Sequence, residues 1–252
     1  MRLHGKPDAP ARNQPSGLRT LAIDVGGTGI KAVLVDERDH ALAPPERIKT
    51  PQPATPAAML KVIRRLARDE GRFDRIALGF PGVVKDGVVQ TAHNLDPKWV
   101  GFPLLTALRK TLAKPVRIAN DAAVQGMGVV KGKGVELVLT LGTGLGSALF
   151  LNGQLVPNLE LAHHPFRHGK TYEDLLGNAA LKKVGKKRWN RRLGRALKQI
   201  EALFNPDHIF LGGGNATQVS LALPPTVTTV ANAAGMYGGL ALWEPMVAPR
   251  SR

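Results

Sequence analysis

The chain contains no cysteine. Disulfides, thiol catalysis and cysteine-ligated zinc are therefore excluded. It has no apolar run long enough to span a bilayer. Its N-terminus lacks the apolar central segment of a secretory signal, so a cytoplasmic protein with no membrane partner is expected. Acidic residues are scarce: nineteen Asp and Glu stand against thirty-five Lys and Arg, a formal net charge of +16. Net charge speaks to association rather than fold. An excess of this size points to a polyanionic partner: nucleic acid, an anionic surface or a phosphate-rich substrate. What is present is ample core material, 252 residues of which 43% are hydrophobic, enough for one large domain or two modest lobes.

Residues 1–18 are polar and rich in Pro, Arg and Gly, and read as a flexible arm. Beyond them, apolar strands alternate with helices. Strands are predicted over residues 75–80, 116–119, 136–141, 147–151 and 207–211, and a hairpin around Asp86-Gly87. Apolar positions Met59, Leu60, Ile63 and Leu66 predict a helix over residues 57–70. Further helices are predicted over 104–112, 122–130, 171–183 and 187–204, with a closing helix over 231–243. Such alternation indicates an α/β fold with sheets covered by helices.

Two stretches organise the rest. Leu21-Ala22-Ile23-Asp24-Val25-Gly26-Gly27-Thr28-Gly29-Ile30-Lys31 reads as a strand, a tight glycine turn and a second strand, with a carboxylate at the lip. Leu141-Gly142-Thr143-Gly144-Leu145-Gly146 repeats the pattern downstream. Each turn offers backbone N–H donors and one hydroxyl, Thr28 or Thr143, a combination that holds phosphate oxygens. Neither has the spacing of a P-loop, and neither opens onto a helix as a dinucleotide fingerprint does. An ordinary glycine hairpin is the alternative for either turn alone. Together they indicate two lobes facing each other across a cleft and divided near residues 117–120, an arrangement suited to phosphoryl transfer. Asp121, after a strand and Asn120, is placed to take the proton of an attacking hydroxyl. The alternative is that Asn120-Asp121 caps the next helix.

Five pieces occur in order: Asp24-Val25-Gly26-Gly27-Thr28, Gly79-Phe80-Pro81-Gly82, Asn120-Asp121-Ala122, Leu141 to Gly146, and Glu160-Leu161-Ala162-His163. The ordered set resembles the ROK family of sugar kinases and repressors within the actin-like ATPase superfamily, over residues 20–243. Within that family it looks most like the polyphosphate glucokinases. The resemblance implies two actin-like (ribonuclease H-like) lobes with a central cleft, one over residues 19–118 and one over 119–252, with the last helix packing back on the first lobe. It implies Mg2+, and transfer of phosphate from polyphosphate or ATP to a hexose 6-hydroxyl by a homodimeric enzyme. Carried onto matching positions, Asp24, Gly26, Gly27, Thr28 and Lys31 would face the donor phosphates and Mg2+, with Gly142, Thr143 and Gly144 as the second phosphate loop. Asp121 would be the general base. Asn94, Asn120, Glu160, His163 and Glu173 would hold sugar hydroxyls, and Gly212, Gly213 and Gly214 would lie where an adenosine packs. No cluster of protein side chains is assigned a metal.

The chain departs from the family pattern in places. It lacks the cysteine-rich zinc site of many members, and Ala162 stands where a glycine is usual. His163, His164 and His168 read either as loop residues or as divalent-metal ligands. Residues 182–198 hold nine Lys or Arg and no acid. On a helix, Arg188, Arg191, Arg192, Arg195 and Lys198 share one face, opposite Leu193, Leu197, Ile200 and Phe204. That face reads either as solvated or as a polyanion surface. Three other functions fit the same residues less well: a kinase for another hexose, a sugar-responsive repressor, and a non-catalytic protein that binds nucleic acid. Roughly twenty residues precede the first strand, fewer than a helix-turn-helix domain needs, so a repressor is not expected.

Overall fold

The computed structural model describes residues 17–37, 41–156, 159–231 and 234–243. The proposed arm up to residue 16, and Pro157 and Asn158, lie outside the described residues. The chain opens with β1 (Thr20–Val25) and β2 (Gly29–Val35), joined by the first glycine turn. β3 (Glu46–Lys49), α1 (Pro56–Asp69), β4 (Arg75–Phe80), α2 (Leu104–Leu112), β5 (Val116–Asn120) and α3 (Asp121–Met127) follow. A second series begins with β6 (Val135–Leu141), β7 (Leu145–Leu151) and β8 (Gln154–Val156). It continues with α4 (Tyr172–Leu176), α5 (Asn178–Phe204), β9 (His208–Gly212), β10 (Val227–Thr229) and α6 (Ala234–Ala241).

The strands form two five-stranded sheets of one topology. The first runs β3-β2-β1-β4-β5, with β1 antiparallel to β2 and parallel to β4. The second runs β8-β7-β6-β9-β10, with β6 antiparallel to β7 and parallel to β9. The two predicted glycine hairpins are the β1–β2 and β6–β7 pairs, closing on the partners Val25–Ile30 and Leu141–Leu145. This is the actin-like arrangement expected from sequence.

Both central strands are apolar on both faces, so each sheet must be covered twice. On the outer face of the first sheet, Leu21, Ile23, Ile76 and Leu78 pack with Met59, Ile63 and Leu66 of α1. Trp99 closes that core, its indole N–H donating to the Ala54 carbonyl at 2.8 Å. On the second sheet, Leu137, Leu139, Ile209 and Leu211 pack with Trp189, Leu193, Leu197 and Ile200 of α5. The backbone of α5 is broken at Gly185 (φ 74°, ψ 162°), which separates the two helices that the sequence pattern predicts there.

The inner faces are covered by short helices. Ala122 and Ala123 of α3 lie against Val138, Ala148 and Phe150 of the second sheet. Leu240 of α6 lies against Ala22, Val33 and Val35 of the first. The two helices also pack on each other. A Cβ built on Gly238 would collide with the Val124 carbonyl, and one on Gly239 would come within 3.1 Å of both Ala22 and Ala77. Only glycine allows α6 this close. Three short edge elements, β3, β8 and β10, carry no clear sequence signal and were not expected. Among the described residues no helix is long and apolar enough to cross a membrane.

Gly238→Ala should lower folding stability by about 1–3 kcal/mol, because the obstacle is backbone that must shift. Urea denaturation reads this; an unchanged midpoint would show that the α3–α6 approach does not constrain the fold.

Candidate active site

The carboxyl ends of parallel strands are where α/β sheets place ligands. Here the ends of β1, β5, β6 and β9 converge on one cleft of about 400 Å³. Asp24, Gly26, Gly27, Thr28 and Lys31 line it from the first glycine turn, and Gly142, Thr143 and Gly144 from the second. Asn94, Asn120, Asp121, Glu160, His163, Glu173, Gly213 and Gly214 line it as well. The predicted residues thus lie together, with one exception. Gly212 is not part of the lining; it ends β9 with Val230 beside its α-carbon.

Both turns have their carbonyls tied down. Thr50 Oγ1 donates to the Gly26 carbonyl at 2.5 Å. Asn215 Nδ2 and the Asn178 N–H donate to the Gly142 carbonyl at 3.1 and 3.0 Å. One N–H in each closes the turn, Gly26 on the Gly29 carbonyl at 3.0 Å and Gly142 on the Gly144 carbonyl at 3.1 Å. Among the described residues, the N–H groups of Gly27, Thr28, Thr143 and Gly144 have no acceptor within the protein. Gly144 is also pressed against a neighbour: a Cβ there would collide with the Glu173 carboxylate, which accepts from the Leu145 N–H at 3.3 Å.

Asn120 and Asp121 divide two roles. Asn120 is the N-cap of α3, its Oδ1 accepting from the Ala122 N–H at 2.9 Å, while its Nδ2 donates to the Gly82 carbonyl at 3.3 Å. Asp121 is the first residue of the helix and faces the cleft, its Oδ1 accepting from the same N–H at 2.8 Å. Burial pushes its carboxyl up to about 7, and the nearby Asp24 and Glu160 charges add to the rise. Asp24 is raised as well, by burial, against the attraction of Lys31 Nζ at 3.5 Å. Cross-strand pairing of Asp24 with Lys31 in the β1–β2 ladder places those two side chains together.

The other end of the cleft is richer in imidazole. Ser147 Oγ donates to the Leu159 carbonyl at 3.0 Å and accepts from the Leu161 N–H at 3.2 Å, pinning the segment that carries Glu160 onto β7. His163 Nε2 lies 3.8 Å from Glu160 Oε2, and its ring packs on that of His93 with centroids 3.8 Å apart. Glu160 is raised by burial, with both histidines opposing. The ligating atoms of His93, Glu160 and His163 all lie within 4.8 Å of one another. Two nitrogens and one carboxylate suit a zinc-class ion better than magnesium. Of the three histidines in the 157–170 segment, only His163 lines the cleft. His164 hydrogen-bonds the Pro165 carbonyl and His168 takes the Arg167 Nε–H.

His93, Gln125, Thr140, Asn178 and Asn215 also line the cleft and were not found from sequence. His93 sits beside Asn94, but a single histidine in a loop has no pattern to mark it. Asn178 and Asn215 act through the fold, by holding the second turn.

Two sheets of one topology, opening on a cleft with a glycine turn on each side, define an actin-like protein of the ATPase superfamily. The chain belongs to the ROK family, which matches residues 20–159. It is 36% identical to the polyphosphate glucokinase of Mycobacterium tuberculosis (strain CDC 1551 / Oshkosh) over 236 residues, 86% of this chain and 88% of that one. It is 34% identical to the polyphosphate glucokinase of Mycobacterium leprae over 256 residues, 92% and 78% of the two chains. The inorganic polyphosphate/ATP-glucomannokinase of Arthrobacter sp. strain KM superposes with a TM-score of 0.83 at 31% identity, covering 90% of this chain and 98% of that one.

Because the Asp121 carboxyl is raised by folding, its ionisation works against the fold. The stability it confers when protonated is full below the unfolded value of 3.8 and is lost as pH rises through about 7. Asp121→Asn should therefore melt at a higher temperature than the wild type at pH 8, with the advantage shrinking toward pH 5. Scanning calorimetry across that range checks this; a constant difference would contradict it.

Proposed function

We propose that the protein is a glucokinase that transfers the terminal phosphoryl group of polyphosphate or ATP to the 6-hydroxyl of glucose. The single observation that carries this reading is the position of Asp121: a raised carboxylate in the same cleft as two turns that each keep two N–H groups without an acceptor among the described residues. The kinases named above supply the substrate classes.

In this reading Asn94, Asn120, Glu160, His163 and Glu173 hold the sugar hydroxyls and orient the 6-hydroxyl toward the donor. Its oxygen attacks the terminal phosphorus in line, the bridging P–O bond breaks, and the shortened polyphosphate or ADP leaves with the bond's electron pair. The proton passes to Asp121, whose affinity near 7 suits a base at neutral pH. The free N–H groups of Gly27, Thr28, Thr143 and Gly144 receive phosphate oxygens, and Lys31 adds a cation. Gly213 and Gly214 would border an adenosine when ATP is the donor; Gly212, outside the lining, would support them from β9.

Mg2+ belongs to the same proposal. Asp24 and Thr28 offer only oxygen at the donor end, which fits a hard cation held by one carboxylate and the substrate phosphates. Those two residues would hold it, and it would neutralise charge on the transferring group. A cytoplasmic homodimer without nucleic-acid partners completes the reading, with sedimentation as the check on the dimer.

Purified protein with Mg2+ and glucose should form glucose 6-phosphate with polyphosphate, with ATP, or with both. No product with either donor overturns the reading. Asp121→Asn should lower kcat by about 100-fold or more while folding normally. The wild-type kcat/KM should fall away below an apparent value near 7; near-normal turnover of the variant would remove Asp121 from the role. Lys31→Ala should raise KM for polyphosphate and leave KM for glucose unchanged, and equal loss of both would argue against a donor contact.

A further inference from the structure

The basic helix of the sequence does more than cover a core. Arg188, Arg191, Arg192 and Arg195 of α5 stand at one face and, with Arg167 and Lys170 of a small hairpin (Pro165–Arg167 paired with Lys170–Thr171), line a second cavity of about 400 Å³. Lys198, expected on the same face, is not part of that lining. Among the described residues no carboxylate lies within 4.0 Å of any of these six cations. Arg192 is half-buried, and its guanidinium is held below its usual range by burial and by Arg188 beside it. A concave cluster of unpaired arginines is unfavourable until an anion enters, and guanidinium forks match phosphate oxygens.

Location relates this cavity to the cleft. The short helix α4 lies between them: Glu173 lines the cleft and Leu175, two residues on, lines the basic cavity. The two cavities therefore share α4 as a common wall. The chemistry also narrows the ligand. Sequence-tolerant binding of single-stranded nucleic acid uses exposed aromatic platforms. Here Phe166 is the one aromatic of the Phe, Tyr and Trp class in the cavity's lining, and it is stacked on Tyr172 with ring centroids 4.5 Å apart. Charge without bases fits better.

We propose that this cavity anchors the part of an inorganic polyphosphate chain that lies away from its reacting end. The inference rests on the reading of the protein as a polyphosphate-using kinase for its role in turnover, but not for binding. Anchoring at a second point raises the local concentration of the reacting end, so long donors gain and short ones do not.

The test is the triple variant Arg188→Gln, Arg191→Gln, Arg195→Gln, which keeps good helix formers and spares Arg192, whose Nη1 donates to the Leu175 carbonyl at 3.4 Å. KM for long-chain polyphosphate should rise roughly tenfold or more, while KM for ATP and for glucose, and kcat, stay within about twofold. An unchanged KM for long polyphosphate, or an equal rise for ATP, overturns the proposal. Direct binding of long-chain polyphosphate, measured without glucose, separates the two readings. If the wild type turns over no polyphosphate but binds it, and the variant does not, polyphosphate falls as the phosphoryl donor and the anchor stands. If both bind it equally, the anchor falls whatever the turnover. Preference of the wild type for single-stranded RNA over polyphosphate, lost in the variant, would also overturn it. Should the triple variant fail to fold, Arg195→Glu alone must raise the same KM severalfold for the proposal to survive.

Discussion

The close crossing of α3 and α6 between the sheets is the constraint on which the site depends. The central strands are apolar on both faces, and where the two helices cross between the sheets only small side chains fit. Ala122 and Ala123 on one helix and Gly238 and Gly239 on the other meet that requirement. With the sheets held at this spacing, the end of β1 brings Asp24, the end of β5 brings Asn120 and Asp121, and the end of β6 brings the second glycine turn. The other end of the cleft is completed by connections outside the sheets, which carry His93, Asn94, Glu160 and His163. The site is a consequence of duplicated topology and a thin middle layer.

Charge is distributed with the same economy. Acid is scarce in this chain, yet four of its nineteen carboxylates, Asp24, Asp121, Glu160 and Glu173, line the cleft. Burial raises three of them, Asp24, Glu160 and Asp121, the last to about 7. The chain as a whole is strongly basic, with a net charge of +16. Such a charge draws a polyanion toward the protein, while the local acids and the free N–H groups decide what happens once it arrives. The arginine-lined cavity beside α4 draws four of its cations from the basic run over residues 182–198.

Much of this was legible in the sequence, because strong local rules were at work. A strand, a glycine turn and a strand leave a readable trace, and two such traces in one chain revealed the duplication. Helices α1 and α2 followed from apolar spacing. The elements that were missed are edge strands: β3, β8 and β10 each pair on one side only, are short, and keep polar or exposed residues, so no alternation marks them. Within the cleft, the residues carried by turns and strand ends were found. His93 was not, since only the fold brings its loop against His163. Gly212 was placed in the cleft because it adjoins Gly213 and Gly214. The strand it ends holds it in the sheet, whereas its neighbours have left the sheet and turn toward the site. The basic face of α5 was visible from residue spacing, but its concavity was not, because the hairpin carrying Arg167 and Lys170 completes it.

The central claim is that Asp121 is the group that receives the hexose proton, and one structure tests it most directly. A crystal structure of the wild-type protein with glucose and a non-hydrolysable donor should place the 6-hydroxyl oxygen within hydrogen-bonding reach of the Asp121 carboxylate, about 2.6–3.2 Å. The terminal phosphorus should then lie on the opposite side of that oxygen, between the two glycine turns. A sugar whose 6-hydroxyl points away from Asp121, or a donor whose terminal phosphate avoids both turns, would contradict the account.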